Sequence, residues 1–398
     1  MKIRLGVEAW GLSGDLRNTG MGQYTMRLLC SLDTYAPDFS ILAYGGPGEP
    51  RPEGLPGAIT WRPVGRHVPA KLTALYSRCL TLPMVTRADN LDLFHAPAVH
   101  MRPLFPPVPR LACPLVVTLH DLIVQTYYEV KSLPIRQQLF YRWNVRRAVR
   151  ADVVITVSGS SRRDIIRETD LPSERITVIH NAVEFDRNDD QEPIGRLGIQ
   201  WPYILYAGSF EPRKNLAGAV RAYAQLVSKG VPHHLVAIVE RTSGHMTAAT
   251  RVIGEFGLEG RVHLVHSLSE SDLRALYTHA ATLFFPSFAE GFGYPPVQAA
   301  ACGVPVVASD LEVLREVLGD AALFVDPGDE GAMAHGLYTA LTDSGSRERL
   351  KAAGPKLAGH YELRPWALRH VEIYRQLSGS KHAVTYKPLE QHIPGRSL

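Results

Sequence analysis

The chain has 398 residues, 45% of them hydrophobic and 21% charged, with a formal net charge of +4 at pH 7. At about 150 residues per domain, that length predicts two or three domains with sizeable cores and excludes a small binding module. Its 33 glycines and 29 prolines form no repeat, which excludes a collagen-like or wholly disordered chain. Residues 1–150 carry 18 Lys and Arg against 10 Asp and Glu, so an anionic partner is expected to meet the first half. No apolar run approaches the roughly 18–20 residues of a membrane span; the richest, PLVVTLHDLIV, is broken by His120 and Asp121. Cys30, Cys79, Cys113 and Cys302 stand far apart with no metal-ligand or redox spacing. Free thiols, a cytoplasmic setting and no structural zinc are therefore expected.

Short Val, Ile and Leu runs alternate with longer segments of helical period from end to end, the pattern of βαβ units and a parallel sheet. The class is α/β. The start, MKIRLGVEAWGL, holds Glu8 inside an apolar stretch and lacks a small-residue cleavage site, so it reads as a first strand and not a signal peptide. Further strands are expected at LFHA (93–96), PLVVTLH, DVVITVS and RITVIH, each ending in a polar or glycine loop. Between them lies IRQQLFYRWNVRRAVR, with Arg142, Arg146 and Arg150 on one helical stripe near Phe140 and Trp143. It suits a membrane surface or an acidic acceptor, but its apolar and basic faces separate poorly, which favours a solvated helix with one buried edge. No nucleic-acid motif accompanies the charge, so nucleic acid is not an expected partner. Ser160 and Ser161 before RRDIIRE read as helix caps without chemistry.

The segment EFDRNDDQEPIGRLGIQWP changes composition and reads as a linker. A second set of strands follows: YILYAGS, HLVAIVE, RVHLVH, TLFFPS, VPVVAS and ALFVDP. Leu216, Val220, Tyr223 and Val227 recur at helical spacing, and Ser269 with Asp272 makes a capping box. A last helix is expected near PWALRHVEIYRQL, followed by a polar, weakly ordered tail. Two doubly wound halves of similar size predict a cleft between them, with ligands at the carboxyl ends of the strands.

Three segments carry candidate chemistry. In TLFFPSFAEGFGYPPVQAAACGVPVVAS a strand runs through a glycine loop into a helix opened by Pro295 and Pro296. There Gly291 and Gly293 permit close backbone approach, the helix terminus offers N–H groups, and Glu290 sits at the strand end. An anion joined to a polyhydroxyl group fits this loop; an ordinary glycine turn with a solvated Glu is the plainer reading. In AGSFEPRKNL the strand runs into a loop bearing Arg213 and Lys214 just before a helix expected to begin near Leu216, and two cations at that first turn oppose its dipole. A bound diphosphate explains that placement, as does a solvated basic turn. In NTGMGQYTMRLL, Gly20 and Gly22 precede a helix, suited to a phosphate or to a plain N-cap loop. His120 and Asp121 end a strand, placed either to meet sugar hydroxyls or to serve structure. No Walker loop, Gly-x-Ser-x-Gly elbow or Asp-x-Asp is present. The positive charge on any diphosphate is thus expected from protein groups, without a metal.

In chain order, NTGMGQYT, LFHAP, VTLHDL, ADVVITVSGSSRRDI, ITVIHNAV, YILYAGSFEPRKNL, the Glu290 block and GDAALFVDP resemble the retaining glycosyltransferases of family 4 (group 1). The resemblance implies the GT-B fold, two Rossmann-like doubly wound domains facing each other across a cleft. It implies an acceptor-binding domain over 1–185 joined by a crossover helix at about 365–379, and a nucleotide-sugar-binding domain over 198–364. Arg213 and Lys214 would grip the donor diphosphate, and Gly20 and Gly22 would line a phosphate loop. His120 would approach the donor sugar, and Glu290 would bind its hydroxyls. The backbone from Gly291 through Phe292 to Gly293 would hold the sugar, with Asp121 and Ser209 also counted as substrate-binding. The donor would be a nucleotide sugar such as GDP-mannose or UDP-glucose, with no cofactor, and the acceptor a hydroxyl of a glycan, glycolipid or natural product. VTLHDL and GFGYPP lean toward mannosyltransferase-like members. Peripheral contact of the basic N-terminal domain with the inner membrane face is a further expectation.

Two departures stand out. The family's second Glu, separated from the first by seven residues, holds ribose hydroxyls; here it is Gln298, which loses the charge-assisted share of that bond. Glu240 and Arg241 stand where the family usually has a glycine. The rival readings are a non-catalytic sugar-nucleotide-binding protein and a GT-B epimerase or phosphorylase.

Overall fold

A computed structural model of the chain describes residues 2–14, 16–17, 19–65, 76–98, 110–127, 134–184, 186–209, 211–239 and 246–379. The chain divides into two compact units, one formed by Met1–Asn181 with the segment that begins at Leu363, the other by Ala182–Glu362.

Unit 1 runs β1 (Ile3–Glu8), α1 (Gly20–Tyr35), β2 (Phe39–Gly45), β3 (Thr60–Pro63) and a π turn (Ser77–Thr81) leading into α2 (Leu82–Ala88). It continues with β4 (Leu93–Ala96), β5 (Leu115–Thr118), α3 (Ile135–Ala148), β6 (Val153–Thr156), α4 (Gly159–Thr169) and β7 (Ile176–Val178). Its sheet is parallel, in the order β3-β2-β1-β4-β5-β6-β7. Unit 2 holds β8 (Tyr203–Ala207), α5 (Leu216–Ser228), β9 (His234–Ile238), β10 (Val262–Val265), α6 (Glu270–Thr278), β11 (Thr282–Phe285), α7 (Tyr294–Ala301), β12 (Val306–Ser309) and β13 (Ala322–Val325). Its six strands are parallel in the order β10-β9-β8-β11-β12-β13. The last helix, α8 (Leu363–Ser378), belongs to unit 1.

Both sheets reverse direction of growth beside their first strand, between β1 and β4 and between β8 and β11. Those switch points are where a doubly wound sheet opens a crevice at its carboxyl edge. Central strands such as LFHA, VVIT and TLFF are buried at every position, as sheets covered by helices on both faces require. Every strand expected from the sequence forms. β2 and β3 add to them; β3 is an exposed edge strand ending in Pro63, without the apolar pattern that would have marked it.

Local chemistry corrects three expectations. The cap of α4 is Ser158, whose hydroxyl accepts from the Ser161 amide at 3.0 Å, so the cap lies two residues before Ser160. Gly20 and Gly22 lie inside the first turn of α1, capped by Thr19. A Cβ on Gly22 would sit 1.8 Å from the Leu16 carbonyl oxygen, so this glycine is demanded by the loop folded over the helix start. The linker segment is built into unit 2: the Asn188 amide donates to Thr278 at 3.0 Å and Arg196 to Asp272 at 2.6 Å. The tail beyond residue 379 lies outside the described residues.

A buried hydrogen-bond chain docks α8 on the first sheet. His370 Nδ1 donates to the Trp366 carbonyl at 2.9 Å, so its Nε2 accepts from the Tyr24 hydroxyl at 2.7 Å. Tyr24 is 3.2 Å from Thr118, which accepts from His95 Nε2 at 2.9 Å, and His95 Nδ1 accepts from the Tyr374 hydroxyl at 2.7 Å. One proton per link satisfies the whole series. Burial holds both imidazoles neutral, His370 pushed down to about 4 from 6.5 and His95 well below its ordinary value.

Because these folded pKa values lie below the unfolded one, the unfolded chain binds more protons as pH falls from 6.5 toward 4, and stability drops over that window. Melting temperature should fall from neutral pH to pH 4.5, and less steeply in His370→Gln. A flat profile, or one unchanged by the substitution, would contradict this chain of bonds.

Candidate functional site

The β8 and β11 strands are neighbours in register, Tyr206 opposite Phe284, so the loops leaving their carboxyl ends lie side by side at the unit 2 switch point. After β8 the chain passes Gly208 and partly exposed Ser209 into a 3-10 turn, Pro212–Lys214, and then reaches Asn215 in the left-handed region at φ +58°. Asn215 caps α5 by accepting from the Gly218 amide at 3.2 Å. Arg213 and Lys214 therefore stand in a turn of their own just before α5, which begins at Leu216 as the sequence predicts.

The two cations converge on one carboxylate. Lys214 Nζ lies 2.7 Å and Arg213 Nη1 3.2 Å from Glu290 Oε1, with side-chain exposures of only 14%, 13% and 8% for the three. Arg213 also donates to the Ala289 carbonyl at 2.6 Å and pairs with half-exposed Glu211 at 3.2 Å. Lys214 lies 5.0 Å over the Phe285 ring. Backbone bonds fix the two loops to each other and to the strand: the Phe288 amide donates to the Arg213 carbonyl at 2.8 Å and the Tyr206 hydroxyl to the Lys214 carbonyl at 3.0 Å. In this state Glu290 and Glu211 balance the cations, so a bound anion is not needed to explain their placement.

Next to Glu290, the loop from Gly291 to Gly293 is buried and enters α7 through Gly293 at φ +96°. A Cβ there would meet Leu314 at 2.7 Å, so the position demands glycine on both counts. Pro295 and Pro296 occupy the first turn of α7 and carry no N–H. The amide donors of this helix start thus belong to the loop before them, a narrower supply than an ordinary helix terminus gives. Phe292 is 4% exposed and packs edge-on against Tyr294 and Tyr361; its side chain anchors the loop. Gln298 is partly exposed on α7, eight residues after Glu290. Glu240 and Arg241 lie outside the described residues.

In unit 1, His120 follows β5. Its Nε2 donates to the Pro97 carbonyl at 3.0 Å, which makes Nδ1 the acceptor, and the Tyr24 ring meets it edge-on at 4.8 Å. Burial pushes its pKa down to about 4, so it is neutral at physiological pH. Asp121 accepts from the Ile123 amide at 3.1 Å, which gives it a local turn to hold. The sequence did not signal the partner of Glu8: Arg78 pairs with it at 2.6 Å, both side chains almost fully buried, and burial raises the Glu8 carboxyl. An acid within an apolar strand was the only hint. Among the described residues no group of three His, Cys, Asp or Glu could hold a metal ion, and no helix is long and apolar enough to cross a membrane. All four cysteines are free thiols.

Replacing Glu290 by Ala strands two largely buried cations. Urea unfolding should show a loss of about 3 kcal/mol, and no loss would contradict the shared pairing.

Residues 18–187 match the family model described as Glycosyltransferase Family 4 and residues 191–357 the one described as Glycosyl transferases group 1. O-antigen chain mannosyltransferase B of Escherichia coli is 33% identical over 57% of this chain and 61% of its own length. O-antigen chain mannosyltransferase RfbU of Salmonella typhimurium is 31% identical over 54% of the chain and 57% of its own length. The chain thus spans somewhat over half the length of these curated relatives. MMP alpha-(1->4)-mannosyltransferase of Mycolicibacterium hassiacum is 29% identical over 68% of this chain and 67% of its own. Among solved structures, a sucrose-phosphate synthase from Thermosynechococcus elongatus superposes with a TM-score of 0.76 at 18% identity, covering 95% of this chain and all of its own. WaaG, a glycosyltransferase of lipopolysaccharide biosynthesis, superposes at 0.69 with 16% identity over 94% and 99%. Two consecutive family matches over the two units, together with the doubly wound pair of sheets, make this chain a GT-B protein of the group 1, family 4 glycosyltransferases.

Proposed function

We propose that this protein is a retaining hexosyltransferase that moves mannose from a nucleotide sugar such as GDP-mannose to a hydroxyl of a glycan, lipid-linked or small-molecule acceptor. The observation that carries the proposal is the buried convergence of Arg213, Lys214 and Glu290 beside the Gly291–Gly293 loop at the carboxyl edge of the second sheet. Two cations there meet a diphosphate; an adjacent carboxylate and close-approach backbone meet a sugar. The mannosyl preference draws on the relatives' names.

In the proposed reaction the anomeric carbon–oxygen bond to the diphosphate breaks and negative charge grows on the leaving phosphate oxygen. Arg213 and Lys214, already held in place, stabilise that charge without reorganisation. The acceptor hydroxyl bonds to the anomeric carbon from the face the phosphate leaves and gives its proton to that phosphate, so configuration is retained and no protein nucleophile is consumed. Both ion pairs of Glu290 fall on Oε1, and in this reading Oε2 accepts from a hydroxyl of the donor sugar. His120, neutral and with Nδ1 as acceptor, is proposed to take a hydrogen bond from the same sugar. Gln298 takes a ribose hydroxyl through its amide, and no metal is required.

Incubation with GDP-mannose and hydroxyl acceptors should give an α-linked product by NMR from the α-linked donor, and Arg213→Ala should lower kcat by roughly 100-fold. A β-linked product would overturn retention. Donor binding without turnover on any acceptor would favour a non-catalytic binding protein.

A further inference from the structure

The segment that reads as a linker ends at Trp201 and Pro202, and there unit 2 holds a ring cluster that the functional site does not use. Trp201 stands two residues before β8, His234 opens β9, and His263 is the second residue of β10, so all three lie at the amino edge of the second sheet. His234 Nδ1 and His263 Nε2 are 2.8 Å apart, and the two imidazoles are nearly parallel, at 12°. One proton between them satisfies both nitrogens. The Trp201 indole is laid flat over the pair, 4.3 Å from the His234 ring at 2° and 5.1 Å from the His263 ring at 13°. The backbone holds it there, the His234 amide donating to the Pro202 carbonyl at 2.9 Å. Because the imidazoles cover one face of the indole, the exposure of Trp201, 40%, is left to the opposite face and the ring edge. Burial lowers both imidazoles from 6.5, helped at His234 by Arg261, so the stack is uncharged at neutral pH.

Two further exposed rings share this edge. Phe256 lies in the connection from the helix Met246–Glu255 into β10. Tyr338 lies near the end of the helix Glu330–Thr342, and Lys229, from the connection into β9, is 5.4 Å over its ring. Helices run back against the strands of a parallel sheet, so helix ends and strand entries meet at the amino edge. With Phe288, beside Arg213, these rings make up the large exposed hydrophobics of unit 2 among the described residues, and all are aromatic, whereas unit 1 exposes leucine, isoleucine and methionine as well. A bilayer or a protein partner buries a continuous apolar patch. Single rings set among exposed polar residues such as Gln200, Glu255 and Glu259 offer instead flat faces the size of one sugar ring. An aromatic face carries partial negative charge and the C–H groups on one side of a pyranose carry partial positive charge, so ring stacks on ring while the hydroxyls turn to polar groups and water. Gln200 and the partly exposed His263 supply such groups beside Trp201. The imidazole pair fixes the indole before a ligand arrives, which removes the cost of ordering it on binding.

We propose that the amino edge of the second sheet is a binding surface for a neutral glycan, with Trp201 the platform for one pyranose ring and Phe256 and Tyr338 further contacts along the same sugar chain. β8 has five residues, so at ~3.3 Å per residue this edge stands roughly 16 Å from the Arg213, Lys214 and Glu290 cluster. It holds the body of an acceptor or product chain, away from the reacting sugar. The inference rests on the proposed glycosyl transfer for the class of ligand alone.

The full-length protein is to be run in native gels cast with soluble α-mannan or with dextran, both neutral polysaccharides. Retardation by at least one of them is expected. Trp201→Ala should weaken it about tenfold and Trp201→Phe much less. Phe256→Ala and Tyr338→Ala, which leave the stack over the imidazoles intact, should each weaken it about threefold. Circular dichroism melts confirm that each variant is folded, and the rise in melting temperature with a nucleotide sugar should be the same in Trp201→Ala as in the parent. No retardation in either gel, or retardation unchanged in a folded Trp201→Ala and in the Phe256 and Tyr338 variants, overturns the proposal. Concentration-dependent dimers lost in Trp201→Ala would replace the glycan with a second copy of the chain. Retardation in a protein that binds no nucleotide sugar would overturn the transfer reading and leave this surface standing.

Discussion

Arg213 and Lys214 can be buried at the carboxyl edge of the second sheet because a single oxygen of Glu290 lies between them. Taking a cation out of water costs several kcal/mol unless a partner compensates, and here three ionised groups from two loops compensate one another. The requirement propagates outward. It needs β8 and β11 adjacent, which the reversal of strand order provides, and it needs a backbone between Glu290 and α7 that bends where only glycine bends. Gly293, Phe292 and the two prolines satisfy this by turning, anchoring and starting the helix in succession.

Unit 1 meets the same problem with different chemistry. Its buried ion pair, Glu8 with Arg78, sits where β1 ends, beside its own switch point. Its docking of α8 uses neutral groups in a directional chain from Tyr374 to Trp366, so no charge has to be buried to hold the last helix. Tyr24 links that chain to His120 by its ring edge. The helix that completes the chain is in this way coupled to the side chain proposed to contact the donor sugar.

Most of the architecture was legible because burial on both sheet faces writes continuous apolar runs, and these marked eleven of the thirteen strands. The exposed edge strand β3 has no such pattern, and a difference of two or three residues in where a helix is capped is invisible to periodicity. This is why the cap of α4 was read onto Ser160 and Ser161 and not Ser158. The residues of the site were readable from their loops, but their pairing was not. Arg213 and Glu290 are 77 positions apart in the chain, and only the sheet order brings them together. Gly22 illustrates the converse: its loop suggested phosphate, whereas the carbonyl of Leu16 already accounts for the missing side chain.

The central claim is that the Arg213, Lys214 and Glu290 cluster is the donor site. Thermal unfolding of the purified protein with a panel of nucleotide sugars, GDP-mannose and UDP-glucose among them and without added metal, tests it most directly. A donor at 100 times its dissociation constant adds about 2.7 kcal/mol of stability. The account predicts a rise in melting temperature with one donor that disappears in a folded Arg213→Ala variant. A rise that survives the substitution, or none with any donor, would contradict it.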